Sequence, residues 1–269
     1  MEVCMQSILE PLAELKEFQE IQKSIENNIS PVQVTGCMDS QKSHLIAGLG
    51  KKYPYKVIIA ANDIKAKEIY EDYRLYDRNV FLYPAKDAIF YSADVRGNTI
   101  VRERLQVLKR LIEKQPTCII TTLDGGMDKL LPLNFMAEQA ITIEEEGVLD
   151  IEDFKKKLIR MGYERVGQVE GSGQFAIRGG IIDLYPLTEE TPYRIELWDD
   201  EVDTIRSFDV ESQRSIEQVQ QLQIYPASEV VIEEEQLNIG SFQIRKEMEK
   251  QVELLRKDFK TEEAHRLKT

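Results

Sequence analysis

Four short apolar runs, at residues 32–34, 57–60, 80–83 and 118–121, alternate with stretches of helical periodicity that begin at Ser43, Ile64 and Thr99. Runs that are apolar throughout read as strands covered on both faces. Helices between them let successive strands lie parallel. The first half of the chain is therefore expected to be an α/β domain built on a parallel sheet. Upstream, Ile8, Leu9, Leu12, Leu15, Phe18, Ile21 and Ile25 recur at helical spacing, which predicts one or two packing helices ending near Asn27-Asn28.

The pattern breaks at Gly125-Gly126 and changes style after Pro132. Residues 140–143 alternate apolar and polar, Glu144-Glu145-Glu146-Gly147 reads as an acidic turn, and 151–161 as a short helix. From Glu164 to Ile205 several strands are joined by Gly-rich or acidic turns. Asp199-Asp200-Glu201, between two alternating segments, reads as a hairpin turn rather than a metal cluster, and Asp124 beside two glycines as a turn residue rather than a magnesium ligand. This gives a smaller α+β domain inserted at 129–212 after a first domain at 1–128. A return segment and a charged helix at 213–269 are expected to pack on the first domain. Residues 206–221 read as a linker, and Trp198, Phe175 and Phe208 as core.

The segment Gly36-Cys37-Met38-Asp39-Ser40-Gln41-Lys42-Ser43 sits between an apolar run and a helical stretch, the position of a G-x-x-x-x-G-K-[ST] phosphate loop. Such a loop curls backbone N–H groups around phosphate oxygens, with Lys on the outer phosphates and Ser on magnesium. Gln41 stands where the second glycine belongs, and a Cβ there strains or opens the curl. Lys42 and Ser43 thus read as a helix start kept from an ancestral ATPase, without a working nucleotide site.

With 42% hydrophobic and 31% charged residues the chain has the composition of a soluble globular protein, and no run approaches a membrane span or a signal peptide. Cys4, Cys37 and Cys118 lack C-x-x-C spacing, so neither a disulfide framework nor a zinc site is expected, which favours a reducing cytoplasm. His44 and His265 are the only histidines, which leaves little material for His-based catalysis. A net charge of −13 argues against phosphate-neutralising contact with nucleic acid by this chain alone.

The second region carries a specific signature. Gly173-Gln174-Phe175-Ala176-Ile177-Arg178-Gly179-Gly180-Ile181-Ile182-Asp183-Leu184-Tyr185-Pro186 precedes Tyr193-Arg194-Ile195-Glu196-Leu197-Trp198, and Ser212-Gln213-Arg214-Ser215 closes the stretch. Together they resemble the N-terminal UvrB-homology module of the bacterial transcription-repair-coupling factors, from the altered loop to about Pro226. The resemblance implies a RecA-like first domain with a degenerate phosphate loop (Gly36, Gln41, Lys42, Ser43) and an inserted domain that binds UvrA. It places partner-binding on Arg165, Arg178 and Tyr185. It also implies a longer protein that acts on stalled RNA polymerase and double-stranded DNA through an ATP- and Mg-dependent motor C-terminal to this chain, with no catalytic residue, metal or cofactor in the chain itself.

Three departures from UvrB point to a docking module. They are Gln41, the lack of an adenine-contacting segment before Val32, and a stretch from Tyr83 to Thr99 too short for a lesion-probing hairpin. The alternatives are a nucleotide-dependent UvrB- or helicase-like enzyme, and a direct DNA-binding module. Read without the resemblance, Arg165 and Arg178 are ordinary solvated strand charges.

Overall fold

A computed structural model describes residues 8–86, 95–231, 234–257 and 260–266. After a 3-10 turn at Glu10–Glu14, helix α1 spans Lys16–Glu26 and buries Phe18; it ends at Asn27, with Asn28 in the left-handed region at φ 56. Asparagine tolerates that conformation better than most residues. The run at 32–34 forms no strand: Val32 and Val34 are 38% and 44% exposed, and the chain crosses to helix α2 (Asp39–Gly50) as irregular backbone. Two valines flanking Gln33, without a ladder neighbour, do not make a strand.

The sheet of the first unit therefore has three strands. Strand β1 (Tyr55–Ala60), helix α3 (Asp63–Tyr73), strand β2 (Val80–Tyr83), helix α4 (Val95–Ile112) and strand β3 (Thr117–Thr122) alternate, with all pairing parallel and β3 in the centre. Cys118 and Ile120 of β3 are fully buried, as a central strand between helices requires. Asn62 caps α3 by accepting from the Lys65 N–H at 2.9 Å. Helix α4 buries Leu105, Val107 and Leu108. The stretch at 87–94, which contains Phe90 and Tyr91 of the expected compact loop, lies outside the described residues. At Gly125, in the short helix α5 (Leu123–Met127), a Cβ would sit 2.9 Å from the Tyr83 carbonyl oxygen, so the close approach of α5 to the end of β2 requires glycine.

Helix α6 (Leu133–Glu138) leads into the second unit. Strand β4 (Ile141–Glu144), helix α7 (Ile151–Arg160), strands β5 (Glu164–Arg165), β6 (Gln174–Arg178), β7 (Ile181–Leu184), β8 (Tyr193–Trp198), β9 (Glu201–Phe208), β10 (Ser215–Gln218) and β11 (Gln221–Ile224) follow. Six of these strands form one sheet in the order β10-β9-β8-β7-β6-β5, antiparallel except at β5–β6. Strand β11 pairs antiparallel with β4. One core joins β4, α7, β6 to β9 and β11: Phe154, Leu158 and Met161 from α7 and its end pack on Phe175, Ile182, Leu184, Ile195, Val202 and Ile205, with Ile143, Leu222 and Ile224 from the two-stranded ladder. The expected boundary at 212 falls inside this unit, and the expected linker at 206–221 holds the end of β9 and all of β10. Alternation in β10 and β11 is too short to announce them.

The chain then returns to the first unit at Ala227 and Glu229. Helix α8 (Glu234–Lys257) and helix α9 (Thr261–Arg266) end the described chain. Val252 of α8 is buried, while Phe242 and Ile244 of the same helix are exposed.

Candidate functional site

The face of the six-stranded sheet turned away from α7 carries the charged residues. Strand alternation puts Phe175, Ile182, Leu184 and Ile195 inward and their neighbours outward. The register then sets two outward rows: Arg178, Ile181, Glu196 and Thr204, and beside it Ala176, Asp183, Arg194, Arg206 and Gln218. Asp183 is 1% exposed yet ionisable. It accepts from Arg194 through two bonds, Nε to Oδ1 at 2.6 Å and Nη2 to Oδ2 at 3.0 Å, and from Arg178 Nη2 at 2.5 Å. A buried carboxylate persists only when paired and fully hydrogen-bonded, and this one is held by two guanidinium groups.

Arg194 is fixed further by the Gln213 side-chain oxygen at 3.1 Å and by stacking 4.6 Å from the Phe208 ring centroid. Hydrogen bonding to Asp183 raises its pKa above the ordinary arginine value, so it is a permanent cation. The Ser-Gln-Arg-Ser segment of the sequence signature thus supplies the clamp for Arg194. Arg178 is half in solvent, tethered at one Nη and otherwise turned outward. Its position is set by a carboxylate that a partner cannot reach.

Of the three residues singled out in sequence, two share this face. The backbone ladder continues past β7 through the Tyr185 N–H to the Gln174 carbonyl at 2.9 Å, which carries Tyr185 onto the side of Asp183 and Arg178. Its hydroxyl donates to the Glu190 carbonyl at 2.7 Å, which fixes the ring. Arg165 is paired in register with the inward Phe175, and so projects from the edge strand toward the α7 side. There, after the hydrogen bond and charge of Lys155, its charge helps hold the Glu152 carboxyl below the usual range. Trp198 is not core: it is 81% exposed, while Phe175 and Phe208 are buried as expected. The Asp199-Asp200 hairpin turn is present, with Asp199 at φ 60. Asp124 lies in the first turn of α5. Among the described residues no cluster of His, Cys, Asp and Glu is arranged to hold a metal ion.

The altered phosphate loop is tied up internally. Gly36 keeps a positive φ of 83, but the Gln41 side-chain oxygen accepts from the Met38 N–H at 3.0 Å, using a donor that a phosphate cradle would present. Lys42 binds Asp39 at 2.8 Å, and Asp39 also accepts from Lys65 at 3.1 Å; the bonds to Lys42 and then Lys65 hold its carboxyl below the usual value. Ser43 is buried, and its hydroxyl makes no hydrogen bond among the described residues.

Sequence reasoning missed a buried charge cluster where the returning chain meets α4, and the polar contacts that join the two units beside it. Arg104 of α4, fully buried, reaches Glu229 through two bonds, Asp128 at 3.0 Å, the Pro84 carbonyl at 2.6 Å and the Tyr83 hydroxyl at 2.7 Å. Lys86 adds a second cation 2.7 Å from Glu229. Lys109 pairs with Glu189, and the Tyr225 hydroxyl donates to Glu113 at 3.2 Å. The signal available was a charged residue at an apolar position of a helix.

Residues 141–230 match the family model described as the UvrB interaction domain. The chain is also similar to proteins described as transcription-repair-coupling factors. It is 35% identical over 228 residues to that of Staphylococcus epidermidis, covering 83% of this chain and 19% of the relative. With that of Bacillus subtilis it shares 31% over 235 residues, covering 86% and 20%. The chain thus spans about a fifth of the length of the curated relatives it matches. No helix among the described residues is long and apolar enough to cross a membrane. By the matched signature and by kinship over most of its length, this chain belongs with the UvrB-homology modules of the transcription-repair-coupling factors.

Proposed function

We propose that the chain is a non-catalytic docking module that captures UvrA during transcription-coupled nucleotide excision repair. The observation that carries this reading is the coincidence of the UvrB interaction match with an outward arginine-rich sheet face in that same unit. Arg178 is the central contact and Tyr185 its neighbour. Arg165, on the other side of the sheet, contributes at the margin. A planar guanidinium suits bidentate contact with partner carboxylates, and arginine is over-represented among residues that dominate interfaces. The longer protein is proposed to be an ATP-dependent translocase acting on double-stranded DNA and stalled RNA polymerase, with ATP and magnesium in a motor outside this chain. The first unit is proposed to be a RecA-like remnant whose nucleotide site has lapsed, supported by the engagement of Met38 by Gln41 and of Lys42 by Asp39.

Calorimetric titration of the chain with purified UvrA tests the docking role. Arg178→Ala should weaken binding by about thirtyfold, the typical cost of about 2 kcal/mol for such a residue, and Arg165→Ala by less. Unchanged affinity in a folded Arg178→Ala variant would overturn the assignment. Titration with ATP and magnesium tests the lapsed site, and micromolar binding or turnover by this chain would refute it.

A further inference from the structure

Trp198 is the only tryptophan in the chain and stands 81% exposed at the last position of β8. Alternation along β8 puts Leu197 inward on the core and Trp198 on the outward side of Arg194 and Glu196. It follows Glu196 by two positions and lies beside the Gly179-Gly180 turn, where the Leu197 N–H donates to the Gly180 carbonyl at 2.8 Å. Ile181, paired with Glu196 and with Arg178, is 38% exposed on the same face. An indole carries one of the largest apolar surfaces a side chain offers, and tryptophan and arginine lead the residue types at interface hot spots.

Charge on this face is unlike the rest of the chain. Arg178, Arg194 and Arg206 meet the carboxylates of Asp183 and Glu196, three cations against two anions, in a chain of net charge −13. Asp199 and Asp200 reverse the sign at the hairpin tip, and Glu201, the register partner of Trp198, sets one carboxylate beside the indole. A surface that fits has an apolar recess for the indole, carboxylates along the arginine rows, and none where the tip lands.

We propose that Trp198 is the apolar anchor of the docking face and inserts into such a recess on UvrA. This rests on the docking role proposed above. Arg178 orients the contact, and the indole supplies its water-excluded centre.

Because Trp198 is single, the chain labelled with 5-fluorotryptophan gives one fluorine resonance that reports on this side chain alone. On addition of unlabelled UvrA, that resonance should lose its sensitivity to a soluble paramagnetic agent. Trp198→Ala should weaken UvrA binding at least about tenfold with an unchanged urea midpoint. Ile159→Ala, exposed in α7 across the sheet, should leave affinity unchanged. If UvrA binds the wild-type chain while the label stays accessible and Trp198→Ala binds equally well, the anchor is refuted and the docking role stands. If the wild-type chain does not bind UvrA, the docking role itself fails and the anchor falls with it. Protection that rises with chain concentration in the absence of UvrA would assign the face to self-association and overturn the inference.

Discussion

Arg104 and Glu229 lie 125 residues apart in sequence and meet with Nε 2.5 Å from Oε1, inside a pocket that excludes water from both. Glu229→Ala leaves Arg104 buried with only Asp128 as a full counter-charge. Removing one partner of a buried pair costs about 3–5 kcal/mol, because the remaining charge keeps its desolvation penalty. The urea midpoint of Glu229→Ala should therefore fall sharply. Arg104→Met combined with Glu229→Met should cost less than the sum of the two single changes, which a double-mutant cycle measures directly.

Asp183 is the second buried charge, and its role differs. Asp183→Asn removes the anion that holds Arg194 and Arg178 while keeping the side-chain shape. Stability should drop by about 3 kcal/mol, the low end for a buried pair, since Arg178 is half in solvent. Affinity for UvrA should fall as well, although Asp183 is itself out of a partner's reach. Loss of stability with full affinity would show that Arg178 needs no fixed orientation.

Alkaline pH should unfold the protein early. Burial, followed by the Glu113 carboxylate, pushes the Tyr225 phenol up to about 12 from an ordinary value of 10.0, and burial raises Tyr73, Tyr83 and Tyr163 in the same direction. A phenol of this kind keeps its proton in the folded chain after the unfolded chain has lost it. Its contribution to stability is complete below pH 10 and is lost as pH rises toward about 12. Each such group adds up to about 1.4 kcal/mol of loss per pH unit. Urea midpoints measured from pH 8 upward should stay level and then drop past 10.

Cys118, in the centre of β3, should resist thiol reagents. Burial pushes its thiol up to about 11, so little thiolate forms at neutral pH and none is accessible. In a variant with Cys4 and Cys37 changed to Ser, maleimide labelling followed by mass should stay near zero in buffer and reach completion in urea. Rapid labelling of the folded chain would contradict the buried placement.

The strand–helix alternation of the first unit was legible from its apolar runs, although β1 is covered on one face only, with Val57 and Ile59 each 63% exposed. Residues 32–34 misled because Val32-Gln33-Val34 reads as a short strand whether or not a neighbouring strand receives it. The exposure of Trp198 could have been read from parity. In Tyr193-Arg194-Ile195-Glu196-Leu197-Trp198 it shares its side with Arg194 and Glu196, the polar side of the strand. Arg165 and Arg178 looked equivalent in sequence. Only the register, Arg165 opposite Phe175, separates their faces. The Arg104–Glu229 contact left only half a trace: Arg104 falls at an apolar position of its helix, but nothing near it announces a partner 125 residues away.

The pairing of β4 with β11 has one more consequence. Ile141 and Ile224 are register partners, so the chain leaves the second unit next to the point where it came in. An excursion that closes on itself can be lengthened, exchanged or lost in descent while the flanking sheet keeps its own connections. Recognition of a new partner can thus be grafted onto an old scaffold through a single doorway.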